Sequence, residues 1–536
     1  MFNGLRKTLA TWLMPSSPVR MPHAAQRLYA MAKQSRLTGG WGSATSSEDS
    51  ELLQSLTMAR NRSRQLVRDA AYAKRAKVII QNNVVGQGIG MQAQVMNVRG
   101  RLHERLNDDI EAAWEHWCSK WRCHTGQSLH FNDFERAVMG QVFEAGEVFI
   151  RKHLRTFGDS PIPFALELIE AERIADDLQS GPLPTDTSNR VRLGVEVDSY
   201  GAPVAYLIRS NHPGELRLTA ETTVRVDRVP ADQIMHIRMI DRWPQTRAMP
   251  WMHAAARKLN DMDGLTEAEI TAARAAACYM GFIELPGAMQ QYGEPQENGS
   301  TQSELEPAMI ERLNPGEKFT FAAPNRPNTQ LDPFMRMMLR EVAAGTGSSY
   351  ESLSRDYSQS NYSSSRLALI DDRDLWRTLQ AWFIRDFRKE IHEEWLQQAV
   401  LSGAIPSIKV AEYAAQPEKF EQVRFKPRGW SWIDPTKEVD AYKEAILAGF
   451  TTVSDVIALT GSGRDLEDVL KERKHELEMM RDAGLLFSTD PSTVSTPPIP
   501  LPSTDPVLPD PMMDENDPAV TAAEKLLRTV RRRAHG

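Results

Sequence analysis

The chain has 536 residues and a formal net charge of −7; 41% of its residues are hydrophobic and 25% are charged. These values are ordinary for a globular protein, and the length allows about two to four domains. The acidic balance argues against a protein that holds nucleic acid by bulk positive charge, although not against one that lets DNA pass. Three cysteines are too few for a disulfide scaffold. No apolar run approaches the length of about 18 residues that spans a membrane.

The first fifty residues are predicted to form an irregular arm. Its opening sequence, MFNGLRKTLATWLMPSSP, carries a few basic residues and a weak apolar stretch that Lys7 and Thr8 interrupt. A signal peptide needs a cleaner apolar region and a small-residue cleavage site. A short amphipathic arm is therefore the preferred interpretation, with a signal peptide as the alternative.

A long helix, or a closely linked pair, is predicted from Glu48 to about Gln81, because apolar residues recur there at helical spacing. Ser46 followed by Asp49 predicts the cap at its start. The opposite face is basic and consists of Arg60, Arg62, Arg64, Arg68, Lys74, Arg75 and Lys77. Solvation is the simplest explanation of this face, with an acidic surface of a neighbouring subunit and DNA as alternatives. The tentative subunit-interface residues are Arg60, Arg64, Arg68 and Arg75.

Two further helices are predicted, over Leu102 to Trp121 and over Asn132 to Ala145. Asn132 with Glu135 three residues later fits a capping box. From Glu147 to Ile240 the pattern changes to short apolar runs separated by turn sequences such as DSYGAP and NHPG. This alternation predicts a mixed β-region.

An alanine-rich helix is predicted over residues 251–279, and the Asp-Gly pair at 263–264 could bend or divide it. The sequence that follows, to residue 328, is rich in proline and glycine, and we expect few strands in it. Residues 333–345 then predict a methionine-rich helix.

The last third of the chain predicts a helix over 362–401 and two or three short helices over 434–486. Beyond residue 490, serine, threonine and proline favour disorder. A final amphipathic basic segment over 519–533 is expected to order only on a partner.

The most unusual stretch is GTGSSYESLSRDYSQSNYSSSR, residues 345–366, which lies between two predicted helices. Serine and glycine bury too little apolar area to offset the entropy of ordering them, so we expect no core here. The stretch contains no nucleophile motif and no phosphate-binding loop. A hydroxyl-rich loop that leads into a helix near Asn361 indicates a surface that another molecule slides past.

No strong catalytic motif occurs in the sequence. GQGIG at 86–90 lacks the full GxGxxG spacing and is better explained as a glycine-rich turn that ends a helix. GxxxxGK[ST] is absent, which excludes an ATP-driven motor of the P-loop class, and HExxH and GxSxG are absent as well. We therefore expect neither an enzyme nor a cofactor.

Two clusters of potential metal ligands are His116, Cys118, Cys123 and His124, and the acidic run Asp371, Asp372 and Asp374. The first cluster comes from one helix end, whereas zinc sites favour cysteine pairs from two places in the chain, so core packing and ordinary surface histidine are preferred. The second lies near a helix start, where negative charge is favourable. A two-metal nuclease would need further carboxylates from elsewhere in the chain.

Four sequences resemble those of the lambda-family portal proteins of tailed phages: NVVGQG, VPADQIMHI, SYESLSRDYSQSNYSSSR and DPTKE. They follow one another in the same order as in that family and at similar spacing. Each is moderately specific, and their common order makes the resemblance strong over roughly residues 50–480.

The resemblance implies an α+β portal fold with a wing, a stem of two helices, a clip and a helical crown, assembled as a ring. The implied division is an N-terminal arm (1–50), wing (51–250), first stem helix (251–280), clip (281–330), second stem helix (331–345), tunnel loop and helix (346–375), wing return (376–434), crown (435–486) and a disordered proline-rich tail with a basic end (487–536).

The resemblance also implies a ring of about twelve subunits at one capsid vertex of the virion, assembled in the host cytoplasm. Double-stranded DNA would pass through it without sequence specificity, pumped in by a separate terminase through its large subunit and later ejected. The resemblance further implies major capsid or scaffold proteins and head-completion (adaptor) proteins as partners. It implies no contact with a membrane.

The residues implied to line the DNA channel are Ser358, Gln359, Ser360, Asn361, Ser363, Ser364, Ser365 and Arg366. The alternative function is that of a DNA-processing, nuclease-like phage enzyme, which would require a metal or nucleotide site.

Overall fold

The computed structural model describes residue 42 and residues 45–100, 102–178, 189–215, 225–278, 281–284, 294–295, 301–302, 318–321, 330–430, 435–460 and 466–485. The chain divides into two compact units, Met1–Arg464 and Asp465–Gly536. Most of the predicted N-terminal arm and all of the predicted tail, residues 487–536, lie outside the described residues. None of the described helices is both long enough and apolar enough to cross a membrane.

The predicted first helix is a closely linked pair, α1 (Glu48–Asp69) and α2 (Ala71–Val84). The two helices join at Ala70, whose backbone is extended. The glycine-rich turn expected after α2 is confirmed, since Gly86 and Gly88 both have positive φ angles that favour glycine.

The predicted cap of α1 is wrong. Ser47 rather than Ser46 precedes the helix, and its side chain makes no capping hydrogen bond. The carboxylate of Asp49 instead accepts hydrogen bonds from the amide and the hydroxyl of Thr246, at 2.8 and 2.7 Å. A long-range partner therefore replaces the local one that the sequence pattern predicts.

Helices α3 (Glu104–Trp117) and α4 (Phe131–Ala145) follow. The capping box predicted for α4 is also wrong, because the helix begins one residue earlier and His130 Nδ1 accepts the hydrogen bond from the Asn132 amide. Glu135 does not reach back to the cap; it is fully buried.

α3 ends before its predicted end at Trp121. The carbonyl of Cys118 accepts a hydrogen bond from the amide of Phe131, at 2.9 Å, so it is engaged by the start of α4. This link closes the connection between the two helices.

The predicted β-region between residues 147 and 240 is confirmed and forms two antiparallel sheets, with strand orders β3-β2-β8 and β4-β5-β6-β7. Their bounds are β2 (Glu147–His153), β3 (Ala165–Ile169), β4 (Arg190–Arg192), β5 (Val195–Val197), β6 (Pro203–Arg209), β7 (Val226–Pro230) and β8 (Ile234–Arg238). Apolar side chains from both sheets form one buried cluster, in which the rings of Phe149 and Tyr206 lie 5.5 Å apart.

Helix α5 (His253–Cys278) is continuous, so the Asp-Gly pair at 263–264 does not divide it. The segment expected to be poor in strands contains four short ones: β9 (Gly281–Glu284), β10 (Glu294–Pro295), β11 (Thr301–Gln302) and β12 (Lys318–Phe321). β9 pairs with β12 and β10 with β11, both antiparallel. The runs GFIE and KFTF contain aromatic and β-branched residues that suit strands, and this outweighs the surrounding glycine and proline.

The remaining helices largely confirm the predicted ones. In the first unit they are α6 (Leu331–Thr346), α7 (Tyr350–Ser354), α8 (Tyr362–Phe383), α9 (Lys389–Leu401), α10 (Val410–Ala415), α11 (Pro417–Phe420), α12 (Pro435–Leu447) and α13 (Val453–Thr460). A π-helical turn, Ile384–Arg388, joins α8 to α9 without a break. β1 (Gly90–Ala93) pairs with β13 (Val423–Lys426). The second unit contains α14 (Leu466–Asp482), so the predicted crown, 435–486, spans both units.

An aromatic cluster joins α3, α4 and α9 at the centre of the main core. The ring of Trp114 lies 4.9 Å from that of Trp395, 5.2 Å from Trp117 and 5.4 Å from Phe131. The guanidinium of Arg388, in the π-helical turn, lies 5.0 Å from the Trp114 ring centre. Such contacts contribute beyond area burial, so this cluster fixes α9 against the N-terminal helices.

A buried ion cluster connects α1, the sheets and the entry to α5. Glu147 accepts hydrogen bonds from Arg60 at 3.3 Å, from Arg247 at 2.7 Å and from the amide of Ala248 at 3.1 Å. His236 Nε2 lies 2.8 Å from the other carboxylate oxygen of Glu147. Arg60, predicted as part of an exposed interface, is only 1% exposed, so that prediction is wrong for this residue.

Most of the tentative interface residues are engaged within the subunit. Arg64 forms an ion pair with Glu172 at 2.7 Å. Arg75 donates hydrogen bonds to the carbonyl of Ser352 at 3.2 Å. Of the four, Arg68 alone has a largely exposed side chain, at 75%. The basic face is thus divided: Arg60, Arg64, Arg75 and Lys77 are buried or half-buried, whereas Arg62, Arg68 and Lys74 are exposed, as the solvation explanation expects.

We expect Glu147→Gln to lower the free energy of unfolding by about 3–5 kcal/mol, because it removes the carboxylate that Arg247 and Arg60 share. It leaves Asp176, 3.6 Å from Arg60, as the remaining counter-charge. Denaturant unfolding measures the change. Asp69→Asn is the matched control, since it removes an exposed partner of Arg68 and should cost less than about 1 kcal/mol. Equal losses in the two variants would contradict the importance of the buried cluster.

The buried carboxyl group of Glu147 also predicts that the fold loses stability at acid pH. Burial alone would raise the pKa of Glu147, but Arg247, His236 and Arg60 outweigh it and hold the pKa well below its usual value of 4.5. Because the folded-state pKa is depressed, this stabilisation is complete above about pH 5 and is lost as the pH falls toward the folded-state pKa. Between about pH 5 and 3, the native protein should lose more stability than Glu147→Gln; parallel pH curves would contradict this.

Candidate functional site

The hydroxyl-rich stretch begins where α6 ends at a left-handed glycine. Gly347 has φ +72°, and the Ser348 amide donates to the carbonyl of Ala343 at 3.0 Å. A Cβ atom at Gly347 would lie 2.8 Å from a methyl carbon of Leu375 on α8. The backbone angle favours glycine at this position, whereas the close approach could be relieved by a movement of the Leu375 side chain.

Asp372 anchors the first half of the stretch to α8. Its carboxylate accepts hydrogen bonds from the amide and the hydroxyl of Ser349 and from the hydroxyl of Ser352, each at 2.7 Å. Asp372 is buried, and Ser349 also caps α7 by accepting from the Ser352 amide. The stretch is thus not a featureless loop: its first half is an ordered turn and a short helix held by polar contacts.

Two side chains from elsewhere hold the same region from behind. Arg75 of α2 donates to the carbonyl of Ser352, as described above, and Trp251 Nε1 donates to the carbonyl of Thr346 at 3.1 Å. These contacts satisfy carbonyl groups at the ends of α6 and α7 that no helical amide reaches.

The middle of the stretch is a tight turn around Asp356. Its carboxylate accepts from the amide and hydroxyl of Ser358, at 3.0 and 2.6 Å, and from the hydroxyl of Tyr350 at 2.8 Å. These hydrogen bonds, with Arg336 3.6 Å away, lower the pKa of Asp356 to about 2. The carboxylate is charged at neutral pH, and its charge is partly matched by Arg336.

Asn361 caps α8. Its side chain accepts from the Ser364 amide at 2.8 Å, and the Ser364 hydroxyl faces the Asn361 amide at 3.1 Å. The expected helix start near Asn361 is confirmed, and serine takes the place that glutamate or glutamine has in the usual capping box.

The predicted channel-lining residues lie along one continuous segment. The exposed ones are Ser358, Gln359, Asn361, Ser363 and Ser364, and the half-buried ones are Ser360, Ser365 and Arg366. The exposed part therefore presents hydroxyl and amide groups with no formal charge on a base fixed by Asp372 and Arg75. It can make weak, exchangeable hydrogen bonds to water or phosphate.

Sequence reasoning missed the two residues that fix this segment. Asp372 was predicted only as part of an acidic run, and Arg75 as part of a basic face. Their partners lie 20 or more positions away in the sequence, so no local spacing identifies them. The one available indication was the presence of a charged residue on the apolar side of α8.

Three residues of the first predicted metal cluster, Cys118, Cys123 and His124, are packed in the interior, whereas His116 is exposed. Cys118 and Cys123 are buried, and burial raises the pKa of the Cys123 thiol to about 12. His124 Nε2 accepts from the amides of Ser128 and Leu129, at 2.9 and 2.7 Å, and burial lowers the pKa of His124. Among the residues that the structure describes, no group of three or more His, Cys, Asp or Glu side chains could hold a metal ion.

The three carboxylates of the acidic run on α8 do not come together at one point either. Asp372 is buried and bound to serine groups, whereas Asp371 and Asp374 are exposed, and Asp374 pairs with Arg377 at 3.0 Å. Nothing in the described part of the chain brings further carboxylates to this run.

Comparison with known proteins identifies a family for this chain. The family model described as phage portal protein, lambda family, matches residues 34–380. A probable portal protein of Halomonas phage phiHAP-1 is 28% identical over 483 residues, covering 88% of this chain and 90% of that protein. Portal protein B of Escherichia phage lambda is 22% identical, covering 83% and 88%. A chain in the neck of an empty gene transfer agent particle is 15% identical, with a TM-score of 0.39, covering 75% and 93%.

These matches define a structural component of the phage virion, the portal at the connection between head and tail. The family match extends over more than half of the sequence. The chain therefore belongs to the lambda family of phage portal proteins.

We expect Asp372→Ala to loosen α7 without unfolding the subunit. The substitution removes three hydrogen bonds to a buried carboxylate, each contributing about 1.5–3 kcal/mol. Hydrogen exchange of residues 349–354 should accelerate by at least about tenfold. Asp374→Ala, an exposed neighbour on the same helix, is the control, and equal exchange rates in both variants would contradict the anchoring role.

Proposed function

We propose that copies of this chain form a closed ring at one capsid vertex and that double-stranded DNA passes through its channel during packaging and ejection. The family membership supports this proposal, with about twelve subunits as the implied number. A terminase would pump the DNA, and head-completion proteins and the capsid or scaffold would contact the same ring. The proposed architecture is that of wing, stem, clip and crown as divided above.

The observation that carries the channel assignment is the exposed segment from Ser358 to Ser364. DNA presents a dense row of phosphates, so a wall rich in lysine and arginine would hold it and slow its movement. The exposed side chains here are serine, glutamine and asparagine, with one tyrosine, Tyr362, among them, while Asp356 and Arg366 carry the charges nearest in the sequence. We therefore assign residues 358–361 and 363–366 to the channel wall, with Ser360, Ser365 and Arg366 at its base.

The subunit contact predicted on the N-terminal helices is reduced to Arg68, which remains available at the surface beside Asp69. Exposed ion pairs contribute little. Arg68 is thus proposed as a peripheral contact and not as the main interface.

The channel assignment predicts that added positive charge slows DNA transport. In Gln359→Arg with Ser363→Arg, two exposed neutral groups become cationic and attract phosphate. We expect normal rings and a several-fold loss of packaged DNA and infectivity, measured by DNA content per particle. Both positions are exposed, and neither side chain forms the α8 cap.

The matched control is Gln359→Asn with Ser363→Gln, which changes size without charge and should package normally. Ring formation in each variant is checked by native mass measurement and negative-stain microscopy. Normal packaging by the arginine variant in confirmed rings would show that this segment is not the channel wall. Monomers or dimers of the native chain across salt conditions would overturn the ring itself.

A further inference from the structure

The exposed face of α8 changes from polar to apolar within one turn. Ser363 is followed on the same helical face by Leu367 and Ile370, whose side chains are 69% and 41% exposed. Single exposed apolar residues are common, but two adjacent ones beside a polar functional segment mark a surface that meets a different partner.

Leu367 and Ile370 would gain little from contact with hydrated DNA. Phosphate groups and their water shell do not remove an aliphatic side chain from water, so such a contact is no more favourable than exposure to bulk solvent. The polar part of α8 therefore suits the channel, whereas Leu367 and Ile370 suit another protein surface. Tyr362, also exposed, borders the same patch.

A second apolar patch lies on α6. Phe334 and Met337, three residues apart, are 45% and 56% exposed. They lie on the face opposite Leu339 and Val342, which are buried in the subunit core. Within the subunit α6 packs on α5 and α7, whereas α8 packs on α2.

At the C-terminal end of each patch lies an exposed charged residue, and these two residues have opposite sign. The other charges beside the α6 patch, Asp332 and Arg336, pair with each other at 3.1 Å. On α6 the patch is followed by Arg340, which is exposed, while Glu341 beside it is already near Lys258 at 3.5 Å. On α8 the patch is followed by Asp371, which is exposed and forms no ion pair with any described residue. An arginine on one patch can thus pair with an aspartate on the other.

We propose that the α8 patch of one subunit (Tyr362, Leu367, Ile370) packs against the α6 patch (Phe334, Met337) of a second copy of this chain, with Arg340 facing Asp371 across the contact. The contact rests on the proposed ring. It uses two different patches per subunit, which is the arrangement that closes a ring of many copies instead of forming a dimer.

Cysteine cross-linking of the full chain tests this arrangement. Met337→Cys with Ile370→Cys in one chain, on a Cys278→Ser background, should give a ladder of covalent oligomers with a short bifunctional thiol reagent. Each single-cysteine chain should stay monomeric on a denaturing gel, and a mixture of the two should give dimers only. Cys118 and Cys123 are buried and should not react in the folded chain.

Met337→Cys with Leu154→Cys is the control, because Leu154 is also exposed but lies at the end of β2. Native mass measurement before cross-linking separates the two proposals. Rings that give no ladder, or the same ladder in the control, would overturn this contact and leave the proposed ring intact. Failure of the native chain to form rings would overturn both.

A charge exchange gives a second test that does not depend on cysteine reactivity. Arg340→Asp and Asp371→Arg should each raise the concentration at which half the protein is in rings by about tenfold, and the double exchange should restore most of the loss. Equal, additive losses in the double variant would overturn the pairing of Arg340 with Asp371.

Discussion

The buried carboxylate of Glu147 is the constraint on which the arrangement of helices and sheets depends. Gly146, just before it, has φ +86°, and a Cβ atom there would lie 2.2 Å from the carbonyl oxygen of Met249. Strand β2 therefore starts pressed against the chain that leads into α5, and Glu147 then binds Arg247 and the amide of Ala248 in that same chain. Because Arg60 of α1 binds the same carboxylate, a shift of one element disturbs the others.

The hydroxyl-rich segment is held in a similar way with different donors. A buried carboxylate, Asp372, again gathers groups from distant positions, but here they are the neutral hydroxyl and amide groups of Ser349 and Ser352. This explains how a stretch with almost no apolar residues is ordered at all. Polar contacts to α8 add to the burial of Leu353 in the main core, which contradicts the expectation that this stretch contributes nothing to the core.

The sequence predicts the elements better than it predicts their contacts. Helical spacing located α1, α2, α6 and α8, and alternating runs located the β-region, because these patterns are local. The exposed interface predicted for Arg60 failed because its partner, Glu147, lies 87 positions away and is invisible to a local pattern. The capping box predicted for Asn132 failed because His130, an unusual cap, took its role.

In the candidate site, too, the sequence predicts the local features and not the long-range contacts. The exposed hydroxyl groups and the start of α8 at Asn361 follow from composition and capping chemistry. The anchor at Asp372 and the apolar patches on α6 and α8 do not, since helical periodicity tells which residues share a face but not which face the fold leaves uncovered. The four lambda-family sequences added what physical pattern alone could not, namely the kind of assembly to which such a surface belongs.

A channel wall that attracts DNA weakly needs a firm base. A cationic wall would be drawn onto the phosphates and could follow them, but a neutral one gains almost nothing from contact and cannot be positioned by the DNA. Its position must come from the protein. In the proposed ring, Asp372 fixes the segment to its own subunit. Leu367 and Ile370, which lie one to two turns beyond Ser363 on α8, fix the same helix to the next subunit. Under these two proposals, the change from polar to apolar residues along one face of α8 would allow a single helix both to face moving DNA and to contact the next subunit.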